Sequence, residues 1–206
     1  MAMTVTDIVE ISKARFKIVL DNDAVFVLYR EEIKAMSINK GGELPDEKFR
    51  YITDELLVKR ARLRGLNLLK SRDYTRYQMV TKLKQGLYPD SVIEAAIDYF
   101  VSYGYRDDVR YAASYIGYAG ASKSRKRIEY DLQKKGVSAQ DIMKAYLQCE
   151  EQKLLIDEEQ LIEEFLIKKH YGENSATFEE RRKIIASLYR KGFSLDKIYK
   201  AVGQFE

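Results

Sequence analysis

Apolar residues along this chain recur in three blocks, and in each block their spacing is typical of a group of helices. Between residues 68 and 111 the spacing predicts a basic helix, a turn, an apolar helix, a second turn and the start of another helix. The pattern returns 49 residues later, so that position 76 corresponds to position 125. It returns again after a further 56 residues, so that position 125 corresponds to position 181. With Leu87, Gly136 and Gly192 aligned, the coinciding apolar residues are Met79, Ile128 and Ile184; Leu83, Leu132 and Leu188; Ile93, Ile142 and Ile198; and Ala96, Ala145 and Ala201. A recurrence of this length predicts stacked helical units.

The chain before residue 45 shows the partial alternation that is typical of β-strands. Residues 4–29 are rich in β-branched and bulky apolar side chains. Asp21, Asn22 and Asp23 predict a turn between two strands, because Asn and Asp tolerate the positive φ angles of tight turns. A short helix is predicted over residues 30–37. We interpret this segment as a small β-hairpin cap on a helical body, in preference to a separate binding module.

Capping residues mark where the predicted helices begin. Pro45 opens a long helix, and Thr75, Ser122 or Ser124, Ser138 and Asp157 are placed to cap later ones. The predicted fold class is mainly α: an elongated array of three-helix repeats with a small N-terminal β-hairpin cap. Each repeat is too small to bury its apolar stripe alone and is expected to stack on the next. The predicted domains are the cap at 1–44 and the repeats at 45–104, 105–153 and 154–206.

Charge is distributed unevenly, although the formal net charge is only +4. Residues 59–84 hold nine cations against one anion, a net charge of +8, and residues 150–164 hold seven anions against one cation, a net charge of −6. Sixteen Tyr residues occur without any Trp. We interpret most of these rings as helix-packing groups whose hydroxyls reach the surface, with stacking on nucleic-acid bases as the alternative.

One polar position also recurs in the three blocks, and an arginine occupies it each time: Arg76, Arg125 and Arg181. Arginine suits partner binding because its planar fork binds carboxylate or phosphate through two bonds. The alternative is that each arginine pairs with a neighbouring carboxylate on a solvated helix face. The residues predicted to bind a partner are Arg72, Arg76, Arg125, Arg127, Arg181 and Arg182.

The residue types that catalysis and metal binding need are scarce. With His170 as the one His and Cys149 as the one Cys, no zinc set or Ser-His-Asp arrangement is expected. The chain has no GxxxxGK[ST] stretch and no calcium-loop spacing of carboxylates. We therefore expect no enzyme activity, no cofactor and no metal. A single cysteine fits a reducing cytoplasm, and no apolar run is long enough to span a bilayer.

Residues 71–116 resemble the RecX family of bacterial recombinase regulators. The family pattern joins a basic helix led by S-R-x-[YH]-[ST]-x-x-[EQ]-[LM], a Lys-rich helix end with Gly, an apolar helix, and [LY]-x-[DN]-D-x-R-[YF]-A. The matching residues are Ser71, Arg72, Tyr74, Thr75, Gln78, Met79, Lys82, Leu83, Gly86, Ile93, Asp107, Asp108, Arg110, Tyr111 and Ala112. The later blocks look like further repeats of the family, and the N-terminal strands resemble the extension of its Gram-positive members. Gly86 departs from the pattern by one position, which leaves the geometry of that turn open.

The resemblance implies a modulator of the RecA recombinase. Members of the family bind along the groove of the RecA filament on single-stranded DNA, hinder strand exchange and coprotease activity, and favour filament loss. It therefore implies a cytoplasmic role in recombination, DNA repair and the SOS response, with the RecA filament as partner and single-stranded DNA as a further contact. We expect a monomer that does not bind membranes.

A direct nucleic-acid-binding helical protein, similar to a transcription factor, is the alternative. Such a protein needs Asn, Gln or Arg aimed at base edges from one recognition helix, together with a dimer interface. The cations here are spread over three blocks, which suits contact with phosphate or with a protein better.

Overall fold

The computed structural model describes residues 2–105, 107–171 and 177–204. The chain divides into two compact units, Met1–Asp107 and Asp108–Glu206, which are described separately below.

The first unit begins with a four-stranded antiparallel sheet. Its strands are β1 (Met3–Ser12), β2 (Arg15–Leu20), β3 (Val25–Tyr29) and β4 (Glu43–Leu44), in the order β3-β2-β1-β4. The predicted turn at residues 21–23 joins β2 to β3, and Asp23 has a φ of 62°. A second turn, at Lys13 and Ala14, was not predicted, because neither residue type signals a turn. The predicted hairpin is therefore part of a larger sheet.

The remainder of the first unit is helical. Its helices are α1 (Arg30–Ala35), α2 (Asp46–Arg50), α3 (Val58–Leu69), α4 (Arg76–Lys84) and α5 (Asp90–Ser102), with a π-helical segment (Tyr51–Leu57) joining α2 to α3. The sheet and the helices share one core, in which Phe26 of β3 and Phe100 of α5 are fully buried. Burial of this shared apolar surface ties the sheet to the helices that follow it.

The second unit consists of two helix triplets. The first contains α6 (Asp108–Ala119), α7 (Arg125–Lys134) and α8 (Ala139–Glu151), and the second contains α9 (Glu158–Lys168), α10 (Phe178–Arg190) and α11 (Leu195–Gln204). Each triplet has its own buried cluster. We call α3–α5, α6–α8 and α9–α11 the first, second and third triplets. Together with the N-terminal sheet, these tandem triplets confirm the predicted mainly α fold class.

The predicted helix caps are in place. The hydroxyl of Thr75 accepts the N–H of Gln78, whose side-chain oxygen accepts the N–H of Thr75, which closes a capping box at the start of α4. Ser124, Ser138 and Asp157 cap α7, α8 and α9. The Thr-x-x-Gln part of the sequence motif is therefore a helix-start signal.

The aligned turn position has the same backbone conformation in all three triplets. Leu87, Gly136 and Gly192 have φ angles of 58°, 81° and 95°, in the left-handed region that favours glycine. The glycine of the first triplet precedes this position, and a Cβ on Gly86 would lie 2.8 Å from Cε2 of Tyr88. Gly86 is therefore required for the packing of Tyr88, while Leu87 adopts the left-handed turn that glycine adopts elsewhere.

We predict that Gly65→Ala destabilises the first unit. A Cβ at Gly65 of α3 would lie 2.2 Å from Cζ of Phe100, a fully buried ring. Overpacking of this kind costs about 1–3 kcal/mol, and the higher helix propensity of alanine offsets about 1 kcal/mol of that. The free energy of unfolding should therefore fall by up to about 2 kcal/mol in chemical denaturation.

Gly117→Ala on helix α6 is the matched control, since a Cβ at Gly117 would meet no atom within 4 Å. This substitution should raise the free energy of unfolding by up to about 1 kcal/mol. A stabilising effect of Gly65→Ala would contradict the close packing of α3 on α5.

Candidate functional site

Much of the basic segment over residues 59–84 is held by neighbouring groups in the first unit. Arg60, Arg76 and Lys84 form ion pairs with carboxylates, respectively Glu32, Glu94 and Asp90. The guanidinium of Arg62 lies over the ring of Tyr99 at 4.7 Å, and that of Arg72 over Tyr74 at 4.6 Å. These contacts fix the directions of the cations. The side chains of Arg76 and Lys84 stay 44% and 57% exposed, whereas that of Arg60 is only 18% exposed.

Arg72 and Arg76, two of the predicted partner-binding residues, lie on either side of the Thr75 cap. Arg76 is the first residue of α4, and its ion pair with Glu94 connects α4 to α5. Its side chain is still 44% exposed. Arg72 is exposed on the loop before α4. Both can therefore reach a partner, although the contact with Glu94 is the local pairing that the alternative interpretation expects.

Arg125 and Arg127, two further predicted residues, lie together at the start of α7. Arg125 Nε donates to Glu129 Oε1 at 2.8 Å, and its guanidinium lies 4.3 Å from the centre of the Tyr146 ring. The ion pair with Glu129 raises the pKa of the Arg125 guanidinium above its usual value. With its side chain 61% exposed, Arg125 presents a fixed cation to solvent.

Arg127 belongs to a polar cluster around Asp131, a largely buried carboxylate. Asp131 contacts Arg127 Nε at 3.2 Å and Lys123 Nζ at 2.7 Å, and it accepts a hydrogen bond from the Tyr115 hydroxyl at 3.1 Å. Burial acts to raise the pKa of Asp131. The hydrogen bonds from Lys123 and Tyr115 and the charges of Lys123 and Arg127 outweigh it, so that the pKa is lowered overall. The cluster holds Arg127 and the N-terminal loop of α7 together.

We predict that Asp131→Asn destabilises the second unit in a pH-dependent way. Because folding lowers the pKa of Asp131, its contribution is fully present above the unfolded-state pKa of about 4 and is lost as the pH falls through the folded-state pKa. Near pH 7 the variant should be less stable by about 2 kcal/mol, since it loses hydrogen bonds to charged groups.

The measurement is the free energy of unfolding of both proteins as a function of pH. Glu129→Gln is the control, because it removes only the more exposed pair with Arg125 and should cost at most about 1 kcal/mol. A stability difference for Asp131→Asn that stays constant down to acid pH would contradict the assignment.

The start of α7 is also where the second and third triplets meet. The Ser124 hydroxyl caps the helix, and the Ser124 N–H donates to the Lys191 carbonyl at 3.1 Å. The Arg125 N–H donates to Glu158 Oε1 at 2.9 Å, and Glu158 also accepts from Lys197 Nζ at 2.8 Å. No sequence pattern predicted this junction. Its one visible signal was the acidic first turn of α9, which contains Glu158.

Arg181 and Arg182, the remaining predicted residues, lie on α10. Arg125 is the first residue of its helix, whereas Arg181 is the fourth, because α10 begins one turn earlier at the Thr177 cap. The two arginines line an open groove of about 540 Å³. Its other lining residues are Phe178, Ile185, Ala186, Tyr189, Leu195 and Tyr199. The structure thus brings Arg181 and Arg182 to one groove and Arg125 and Arg127 to one helix start.

The residues with potential catalytic chemistry lie apart from these arginines. His170 is exposed just after α9, and Cys149 is buried in the core of the second triplet, where burial raises the pKa of its thiol. In residues 2–105, 107–171 and 177–204 no His, Cys, Asp and Glu side chains cluster in a way that could hold a metal ion. No helix in this part of the chain is long and apolar enough to cross a membrane.

Three helix triplets in tandem, each containing a basic helix, define a helical-repeat protein. Family models match each triplet in turn: the first three-helix domain of RecX over residues 61–100, the second over 107–145 and the third over 157–202. The chain belongs to the RecX family.

Named relatives match over most of the chain. The regulatory protein RecX of Caldanaerobacter subterraneus subsp. tengcongensis is 27% identical over 202 residues, covering 97% of this chain and 98% of the relative. The regulatory protein RecX of Vibrio vulnificus is 31% identical over 139 residues, covering 67% of this chain and 88% of the relative. The regulatory protein RecX of Clostridium botulinum strain Eklund 17B is 28% identical over 197 residues, covering 93% of this chain and 90% of the relative.

Solved structures show the same fold. A crystal structure of regulatory protein RecX superposes with a TM-score of 0.59 at 24% identity and covers 98% of this chain and 99% of its own. The crystal structure of RecX from Lactobacillus salivarius has a TM-score of 0.58 at 24% identity and covers 72% of this chain and 96% of its own.

Proposed function

We propose that this protein binds the RecA recombinase filament on single-stranded DNA and inhibits its recombinase and coprotease activities. The observation that carries the proposal is the match of all three helix triplets to successive RecX domains, whose named relatives are regulatory proteins. In this role the protein acts in the cytoplasm, as a monomer, on recombination, DNA repair and the SOS response, and it does so without catalysing a reaction.

The exposed arginines supply a physical means of binding. A nucleoprotein filament offers DNA phosphates and the carboxylates of its protein, and guanidinium groups bind both through charge-assisted hydrogen bonds. Arg76 and Arg125 are each fixed by a carboxylate from one side and stay exposed on the other. Such prior ordering reduces the side-chain entropy that binding costs. We propose Arg72, Arg76, Arg125, Arg127, Arg181 and Arg182 as the partner-binding residues.

The alternative, a helix that reads DNA bases directly, is less compatible with α7. Recognition helices place their N-terminal residues against base edges and phosphates. At the N-terminus of α7, the Arg125 N–H already donates to the carboxylate of Glu158. A carboxylate at this position repels phosphate and occupies a donor that would otherwise bind it.

The proposal is tested by adding the purified protein to RecA that is active on single-stranded DNA. We expect DNA-dependent ATP hydrolysis and strand exchange to fall as the protein approaches a stoichiometric amount, and filaments to shorten in electron micrographs. Unchanged ATP hydrolysis, strand exchange and filament length at that ratio would overturn it.

A further inference from the structure

The first unit contains a cleft of about 440 Å³ between the sheet and α3, and its lining does not include the six proposed partner-binding residues. A volume of this size is within the range of small-ligand sites. The lining includes Arg15, Tyr29, Arg60, Leu63, Arg64 and Tyr88. The lining therefore combines three arginines, two tyrosines and several leucines, and includes no carboxylate.

Secondary structure places the three arginines on two walls. Arg15 begins β2 directly opposite Tyr29 in the β2–β3 pairing. Arg60 and Arg64 are four residues apart on α3 and so lie on the same helix face. Arg60 is fully engaged, since it pairs with Glu32, donates to the Val27 carbonyl at 3.0 Å and lies over the Tyr29 ring at 4.4 Å. It helps to build the wall.

Arg15 and Arg64 are available for a ligand. Neither forms an ion pair with a carboxylate within residues 2–105, 107–171 and 177–204, whereas Arg60, Arg76 and Lys84 in the same unit all do. Two unpaired guanidinium groups at a cleft attract an anion that can accept two forked sets of hydrogen bonds, as a phosphate does.

The rest of the lining suits a flat, partly apolar group. Tyr29 is 41% exposed, Leu63 55% and Leu87 38%, which leaves apolar and aromatic surface open to a ligand. Tyr88 is held against Gly86, where a Cβ would collide with its ring. Burial raises the pKa of the Tyr88 hydroxyl above its usual value, although the charges of Arg60, Arg64 and Arg15 act to lower it. The hydroxyl therefore keeps its proton at neutral pH and can donate a hydrogen bond to an anion. Cations that bind phosphate, together with aromatic rings on which a base can stack, are a combination found in proteins that bind single-stranded nucleic acid.

We propose that this cleft binds a nucleotide, whose phosphate is held by Arg15 and Arg64 and whose base packs on Tyr29 and Leu63. The ligand is either a free nucleotide or one unit of a single strand, and the experiment below distinguishes these two sources. The proposal does not depend on binding to RecA, because the cleft lies within the first unit and its test uses this protein alone.

The experiment titrates the full-length, isotope-labelled protein and follows backbone amide shifts by NMR. The ligands are thymidine 5′-monophosphate, thymidine, inorganic phosphate and an oligothymidylate of about ten nucleotides. We expect shifts of Asn67 and Tyr88 with a phosphorylated nucleotide, and binding of thymidine or phosphate alone to be at least roughly tenfold weaker. Saturation by the monophosphate identifies a free nucleotide as the ligand, and saturation by the oligomer alone identifies a strand.

Variants distinguish a specific site in the cleft from nonspecific attraction of the nucleotide to a basic surface. Arg15→Ala and Arg64→Ala should each weaken nucleotide binding roughly tenfold, whereas Lys59→Ala, which removes the same charge from α3 outside the cleft, should change it by less than roughly twofold. Arg64→Lys keeps the charge, loses the fork and should still bind more weakly. For the oligomer, the double arginine variant should reduce the slope of log K against log salt by roughly 0.7, the contribution of the one phosphate that the two arginines hold.

Three results would overturn the proposal. The first is that no nucleotide shifts the cleft amides. The second is that inorganic phosphate binds as tightly as the nucleotide, which would leave only an anion site. The third is that a polyglutamate peptide displaces the nucleotide with equal affinity, which would identify an acidic protein segment as the occupant. Melting curves of each variant verify that the fold is intact.

Discussion

Gly192→Ala is expected to lower the free energy of unfolding of the second unit by roughly 3 kcal/mol. Gly192 has a φ of 95°, which costs a residue with a Cβ about 1–2 kcal/mol. A Cβ there would also lie 2.5 Å from Ser124 Oγ and 2.6 Å from Cβ of Arg127, and overpacking adds about 1–3 kcal/mol. The overlap occurs at the start of α7, where the second and third triplets meet.

Gly104→Ala separates the two causes. Gly104 also has a positive φ, of 66°, but a Cβ there would meet no atom within 4 Å. It should therefore cost only the backbone strain, about 1–2 kcal/mol. Hydrogen exchange of amides in residues 2–105 reports the cost of Gly104→Ala, which lies in the first unit, and exchange of amides in residues 108–171 and 177–204 reports the cost of Gly192→Ala in the second unit. If Gly192→Ala costs no more than Gly104→Ala, the result would contradict the close packing of Gly192 against Ser124.

Combining Arg76→Ala, Arg125→Ala and Arg181→Ala should greatly weaken inhibition of the recombinase. Each guanidinium is expected to make charge-assisted contacts with the filament, so each single variant should require roughly five- to tenfold more protein for half-inhibition. The loss should become smaller as salt rises, because the lost interaction is electrostatic. The melting temperature should change little, since exposed pairs such as Arg125–Glu129 contribute only about 0–1 kcal/mol.

Arg50→Ala is the matched control for this set. Arg50 pairs with Asp46 at 3.0 Å, four residues earlier on α2, in an exposed pair like that of Arg125 and Glu129. It lies outside the proposed binding residues, so inhibition should stay unchanged. Should the three arginine variants instead melt at lower temperatures while the folded protein inhibits normally, these arginines are structural and the binding face lies elsewhere, with residues 59–72 the next segment to test.

Local features of the fold were predictable from the sequence because they depend on residues close together in the chain. The capping box of Thr75 and Gln78 is a signal spread over four residues. The aligned apolar positions of the triplets are also buried in the structure, with only Ile184 packed less completely against its core. Helical spacing and turn residues are sufficient to specify these elements.

Features that join distant segments were not predictable in the same way. The hydrogen bond from Arg125 to Glu158 spans 33 residues, and the contact between Arg60 and Glu32 spans 28. The cleft containing Arg15 and Arg64 exists only because the sheet packs on α3 in a shared core. No local pattern encodes such pairings, since many carboxylates could have matched each arginine.

The most direct test of the central claim is co-sedimentation of the purified protein with RecA filaments assembled on single-stranded DNA and nucleotide. If the filament is the partner, the protein pellets with filaments at a fixed ratio to RecA, and it stays in the supernatant with RecA that lacks DNA and nucleotide. Binding to filaments no stronger than binding to the bare single strand would contradict the claim that the filament is its partner.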